Sequence, residues 1–156
     1  MSDEAQQIDG LLFLLLDVAR QCMEHFERCR DKTVPITLRA SRTVLQVARR
    51  QGLNQEELAV LSEFDSTSLV RVLDRLEKRG WVRRLPDPED RRAHRIVLGE
   101  QAGPPVGLIR RAVRSTALSA LREVPHQERA SLVRSLRLMK NSLAVAPTDS
   151  HSSTGR

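Results

Sequence analysis

Cys22, His25 and Cys29 are spaced three and four residues apart, which brings them onto one face if the segment is helical. Thiolates and an imidazole so placed could ligate a metal ion, or the imidazole could serve an oxidant-sensing thiol. Packing explains them better. Both cysteines fall on an apolar seam, where cysteine behaves as a small buried hydrophobe, and His25 flanks it. At helical rise they lie roughly 10 Å apart, too far for an internal disulfide. His94 and His126 are isolated in sequence. There is no glycine-rich phosphate loop, no G-x-S-x-G and no carboxylate pair with a cleft to serve. Catalysis has no positive support, and neither cofactor nor metal is expected.

Cations offer a different chemistry. Between Arg71 and Arg95 stand nine of them (Arg71, Arg75, Lys78, Arg79, Arg83, Arg84, Arg91, Arg92, Arg95) against five anions (Asp74, Glu77, Asp87, Glu89, Asp90). This stretch carries +4 of the net +6 of the 156 residues, and with a pI near 10.5 it directs attention to an anionic partner. Aromatic content is 3% with no tyrosine, which disfavours single-strand readers that stack bases on exposed rings. Double-stranded DNA is the expected partner. The longest apolar run, Leu11 to Leu16, is far short of the roughly 20 residues of a bilayer span, and the MSDEAQQ start lacks a basic leader region. A cytoplasmic location without membrane contact is expected.

These cations need elements to present them. Ile8, Leu12, Leu15, Ala19, Cys22, Phe26 and Cys29 alternate steps of four and three, predicting a helix to about Arg30. Leu11, Leu14 and Val18 widen its stripe toward a second partner. Pro35 interrupts, Thr37 can cap a second helix that ends before Gly52, and Asn54 with Glu57 forms a capping box for a short third. After a polar turn over 62–65, Leu69, Val72, Leu73 and Leu76 mark a fourth helix closed by Gly80. WVRRL, PDPED and RRAHRIVL then predict two strands around a turn. Val106, Ile109, Val113, Ala117, Leu121 and Val124 predict a fifth helix, and Leu132, Leu136, Met139 and Leu143 a sixth. The polar end, 147–156, is expected to be disordered.

Short helix, turn, helix and basic hairpin is the order of a winged helix-turn-helix. The expected class is mainly α with a small β-hairpin wing (α+β), a winged helix-turn-helix lobe plus a helical dimerisation lobe. Residues 1–146 are expected to form one domain, with the DNA-binding lobe at about 36–100 and dimerisation helices at about 8–30 and 105–144.

The segment NQEELAVLSEFDSTSLVRVLDRLEKRGWVRRLPDPEDRRAHRIVL resembles the DNA-binding lobe of the MarR family of bacterial transcription regulators, and TSLVRVLDRLEKRG its SlyA-type branch. The resemblance is densest from about Gly52 to Leu98. It implies a homodimer of six-helix subunits with interlaced terminal helices, and a small aromatic or phenolic effector; an anionic one is the alternative that Arg42 raises. It implies a ligand-responsive repressor; the alternative is a dimeric adaptor that has lost DNA binding. Three departures stand out. Glu63 occupies a turn position that often holds glycine, so that turn must change conformation or bear strain. Pro104 and Pro105 fall where relatives continue a helix, moving the predicted start to near Pro105. Val70 replaces a frequent threonine, though the SlyA-type branch shares it, and favours contact with thymine methyls.

Roles follow from position. Ser66, Thr67 and Ser68 sit in a first helical turn, where hydroxyls and free amides can hold a phosphate or a base edge. Arg71 is the candidate for bidentate guanine contact, and Arg75 and Arg79 are phosphate candidates. Asp90 and Arg92 match the family's D-x-R wing pattern, in which the carboxylate aims the guanidinium into the minor groove, with Arg91 beside them. The effector candidates are Arg42, Gln46 and His25. Arg42 and Gln46 stand where SlyA-type relatives place an aromatic and a histidine, which disfavours a salicylate-like ligand and leaves Arg42 to receive an anion or face water.

Overall fold

The structure is a computed structural model describing the backbone of residues 3–144 and the side chains from Ile8 onward; the expected disordered tail lies outside these residues. In chain order the elements are α1 (Asp3–Cys29), α2 (Leu38–Arg49), β1 (Leu53–Asn54), α3 (Gln55–Ser62), α4 (Ser66–Lys78), β2 (Val82–Pro86), β3 (His94–Leu98), α5 (Gly103–Ala120) and α6 (His126–Ala144). The strands form an antiparallel sheet in the order β1-β3-β2. The expected mainly-α winged helix-turn-helix class is the one observed.

Local chemistry sets the helix starts. Thr37 Oγ1 accepts from the Ala40 amide at 3.1 Å, and the Asn54/Glu57 capping box closes at 2.8 and 3.0 Å. Asp65 caps α4, accepting from the Ser68 amide at 2.8 Å. One face of α4, Leu69, Val72, Leu73 and Leu76, is buried against a core that includes Phe26, Val44, Val47, Leu58, Val82 and Ile96. Each such side chain stabilises the fold by roughly 1.5–3 kcal/mol, which pins the opposite face of α4 toward solvent.

The junction from α4 into the wing is tight. Gly80 takes φ +70, and Gly99 lies so close to it that a Cβ there would meet the Gly80 carbonyl oxygen at 2.1 Å. The amides of Gly99 and Gln101 donate to the carbonyls of Trp81 and Gly80 at 2.9 and 3.1 Å.

Several sequence expectations need correction. β1 was not anticipated: its two residues pair with Ile96 and Arg95, too short a strand to show alternation. The second wing strand starts at His94, so Arg91 and Arg92 belong to the wing loop. The first helix begins at Asp3, ahead of Ile8. α5 begins at Gly103 and not near Pro105, because both prolines fit its first turn, where amide donors have no helical acceptor. Its buried face runs through Val106, Ile109, Ala112 and Thr116, so the predicted stripe slips after Ile109. Cys29 is exposed instead of buried on the seam: its surroundings are polar, with His25 Nδ1 at 3.3 Å and Ser115 Oγ at 4.0 Å. Both cysteines are free.

The chain divides into two compact units, residues 1–119 and 120–156. In the first, α1 buries Phe26 but leaves Ile8, Leu12, Phe13, Leu14 and Leu16 more than 60% exposed. In the second, Arg129 donates to the carbonyls of Leu121 (2.9 Å) and Val124 (3.0 Å), closing the turn into α6, which buries none of its described residues. No helix among the described residues is long and apolar enough to cross a membrane.

Candidate nucleic-acid interface

With one face of α4 buried, its first turn and outward row are open. Ser66 and Thr67 are exposed, Ser68 and Val70 half-buried, and Arg71 and Arg75 exposed. Arg75 Nε reaches back to the Arg71 carbonyl at 3.2 Å, which aligns the row along the helix.

The cations of this region serve two purposes. Arg84 is largely buried and pairs with Asp74 at 2.7 Å and with Glu77, bolting β2 to α4. Arg79 donates to the Pro35 carbonyl at 3.0 Å and lies over the Trp81 ring, so this phosphate candidate is a structural brace. Arg95 pairs with Asp87 at 2.9 Å, and Arg83 stands 3.9 Å from Glu100. Among the described residues, Arg71, Arg75, Lys78, Arg91 and Arg92 make no ion pair. Their charge remains available to a partner.

The wing loop is shaped by two aspartates. Asp87 accepts from the amides of Glu89 (2.8 Å) and Asp90 (3.4 Å), and Asp90 from the amide of Arg92 at 2.9 Å. Asp90 therefore meets the backbone of Arg92, not its guanidinium as the D-x-R pattern led us to expect: it shapes the loop that carries Arg91 and Arg92. The Glu89 amide and then the Arg95 guanidinium hold the Asp87 carboxyl below the usual aspartate range. A depressed carboxylate contributes stability above its unfolded value that is lost as pH falls through its folded value. Wing-loop amides at Glu89 and Asp90 should thus lose hydrogen-exchange protection below about pH 4 while those in the middle of α4, beyond its Asp65-capped first turn, keep it. Asp87→Asn should abolish that acid step; its persistence would exclude Asp87 as the cause.

Two effector candidates converge and one does not. Arg42 and Gln46 line a cavity of about 760 Å³ with Met23, Leu45, Ser62 and Val113. His25 is elsewhere, its Nδ1 3.2 Å from Thr116 Oγ1. No group of three or more His, Cys, Asp or Glu among the described residues could hold a metal. Sequence reasoning missed Arg39, which donates to the Glu63 carbonyl at 3.0 Å and lies over the Phe64 ring. No periodic signal marks it, because its partners come from a separate turn.

These elements define a winged-helix protein with a cationic face on α4 and the wing loop. Residues 36–94 match the model of the MarR family. Among solved structures, a probable transcriptional regulator from Pseudomonas aeruginosa is 22% identical, with a TM-score of 0.77 over 84% of this chain and 97% of that one. A MarR mutant from E. coli complexed with operator DNA is 24% identical, with a TM-score of 0.74 over 91% and 99%. BpsR of Bordetella bronchiseptica, whose DNA binding is regulated by 6-hydroxynicotinic acid, is 18% identical, with a TM-score of 0.76 over 84% and 98%. At these identities the structural likeness is one of fold. The match to the family model is confined to residues 36–94, and the neighbours extend the likeness in fold over most of the chain.

Proposed function

We propose that the chain is a homodimeric, sequence-specific DNA-binding transcription regulator of the MarR family, of its SlyA-type branch, acting in the cytoplasm as a ligand-responsive repressor. The observation that carries this is the sorting of the cations: Arg79, Arg84 and Arg95 brace the lobe, while Arg71, Arg75, Arg91 and Arg92 stand exposed on α4 and the wing loop without an ion pair among the described residues. Ser66, Thr67 and Ser68 hold phosphate or a base edge, Val70 meets thymine methyls, Arg71 reads guanine and Arg75 meets phosphate. Arg91 and Arg92, on a loop set by Asp90, enter the minor groove. The lobe of about 36–100 carries this face, and the helices of about 8–30 and 105–144 dimerise. The bare apolar side of α1 supports that assignment, because monomers seldom leave so large a patch in water.

Selection of duplexes from a random pool, with mass measured in solution, tests the whole reading. The expected operator is an imperfect palindrome with half-sites about one helical turn (~10 bp) apart or slightly more, bound by a dimer at micromolar concentration. A monomeric mass, or a high-affinity site lacking a dyad, would overturn the symmetric assembly. Failure to select any duplex would favour the adaptor.

A further inference from the structure

We infer that the outward face of the first half of α5, formed by Arg110, Arg111 and Arg114, holds the phosphate backbone of a second DNA duplex, so that the protein bridges two duplexes. Bridging rests on the regulator reading above; the contact made by α5 does not.

Helical spacing makes the row. α5 buries Val106, Ile109, Ala112 and Thr116, and the three arginines stand exposed on the side left over, in a helix that contains no acid. Arg110 and Arg114 lie about 6 Å apart along the axis. Arg111 folds its guanidinium back toward Gly107, where a Cβ would stand 3.8 Å from Nη1. None of the three makes an ion pair among the described residues. Asp31 shares a recess of about 380 Å³ with Arg111, but its carboxylate accepts from the amide and hydroxyl of Thr33 at 2.8 and 2.5 Å, and Thr33, ahead of Arg111, holds it below the usual aspartate range. The row keeps its charge for a partner.

A second copy of the chain does not neutralise it. Residues 103–144 hold eight Lys+Arg against two Asp+Glu, net +6, whereas α1, the acidic helix, totals −4 and already has Asp17 and Glu24 paired with Arg20 and Glu27 with Arg30. Nor does an apolar seam cover it, because Leu118, beyond Arg114, is the large apolar side chain that α5 exposes. The same bareness sorts external partners. A membrane surface takes a helix by its apolar face, and an acidic protein docks through apolar or aromatic anchors, neither of which this half of α5 exposes. Single strands stack on rings, and residues 103–144 contain no Phe, Trp or Tyr. A duplex backbone asks only for charge, and guanidinium forks match its phosphates. α4 shares the core with α5 but packs chiefly beside α3 and β2, and each helix turns its arginines away from that core. A straight duplex seated on α4 leaves the α5 row free, so the duplex that fills it is a second one.

The test uses the full chain, the selected duplex fixed to beads and a fluorescent duplex of random sequence in solution. The parent should carry the fluorescent duplex to the beads, and salt should suppress the capture. A protein with Arg110→Gln, Arg111→Gln and Arg114→Gln should bind the selected duplex within about twofold of the parent and keep its mass in solution, yet capture the second duplex about tenfold or more weakly. The matching triple lysine variant keeps the charge and should retain most of the capture. A second arm removes the α4 and wing contacts with Arg71→Ala, Arg75→Ala and Arg92→Ala: random duplex should still bind, and adding the three glutamines should abolish that binding and make its salt dependence shallower by about two to three units of slope. No capture by the parent, or equal capture by the glutamine variant, would overturn the proposal. So would phosphatidylserine vesicles or polyglutamate binding through the three arginines while the duplex does not. If no duplex is selected but random duplex binds through the α5 row, the α5 surface stands and the regulator reading fails.

Discussion

Gly99→Ala should lower the stability of the chain by about 3 kcal/mol, the upper end of what forced overpacking costs in a close-packed site. The added methyl would meet the Gly80 carbonyl oxygen at 2.1 Å, and that oxygen cannot move aside alone, because it accepts from the Gln101 amide at 3.1 Å. Neighbouring Gly80 provides the contrast. Its φ of +70 makes alanine there strained but not blocked, since the nearest atoms belong to the flexible Gln101 side chain at 3.3 Å. Gly80→Ala should cost only about 1 kcal/mol. Urea denaturation of both variants, with slopes compared, tests the pair. A Gly99→Ala midpoint matching the parent's would mean that β2 and β3 do not converge as described.

Arg71→Ala should weaken operator binding by about 1–3 kcal/mol and relax preference mainly at its own base pair. Arg92→Ala should behave differently, weakening binding to many sequences and making the salt dependence shallower by roughly one unit of slope if one counterion is released. Asp90→Ala should partly mimic Arg92→Ala, now for a backbone reason: the Arg92 amide loses the acceptor at 2.9 Å that shapes the loop. Affinities for the selected duplex and for point variants of it, across a salt titration, separate the roles. Three variants indistinguishable from the parent would remove the winged-helix mechanism and leave the adaptor reading.

The helices were legible because their signals are local. Thr37, Asn54 and Asp65 each satisfy amides within three residues, and Leu69, Val72, Leu73 and Leu76 mark the buried side of α4 by spacing alone. What spacing cannot show is tertiary partnership. Arg79 and Arg84 resemble Arg71 in sequence, yet the Pro35 carbonyl, Asp74 and Glu77 turn them into braces, and only folding brings those groups together. The wing loop reads three residues short at its end for a related reason. Arg91 and Arg92 continue into an apolar run that looks like strand, but the carboxylate of Asp90 ties the Arg92 amide into a turn. Glu63 at a turn position that favours glycine signals strain or a changed conformation, and its φ of 54 is strained; its ties to Arg39 and Arg42 come from a separate helix and leave no mark in the sequence.

Arg84 has a mechanical consequence. By gripping Asp74 and Glu77 on α4 from its place on β2, it ties α4 and the wing into one caliper, whose two jaws resist separate adjustment. Under the proposed DNA-binding role, a duplex that satisfies both jaws must supply the adjustment itself, by twisting or rolling at the steps between its contacts with α4 and with the wing. Such steps touch no side chain, yet their stiffness enters the binding energy, so this protein's sequence preference should extend to base pairs it never reaches.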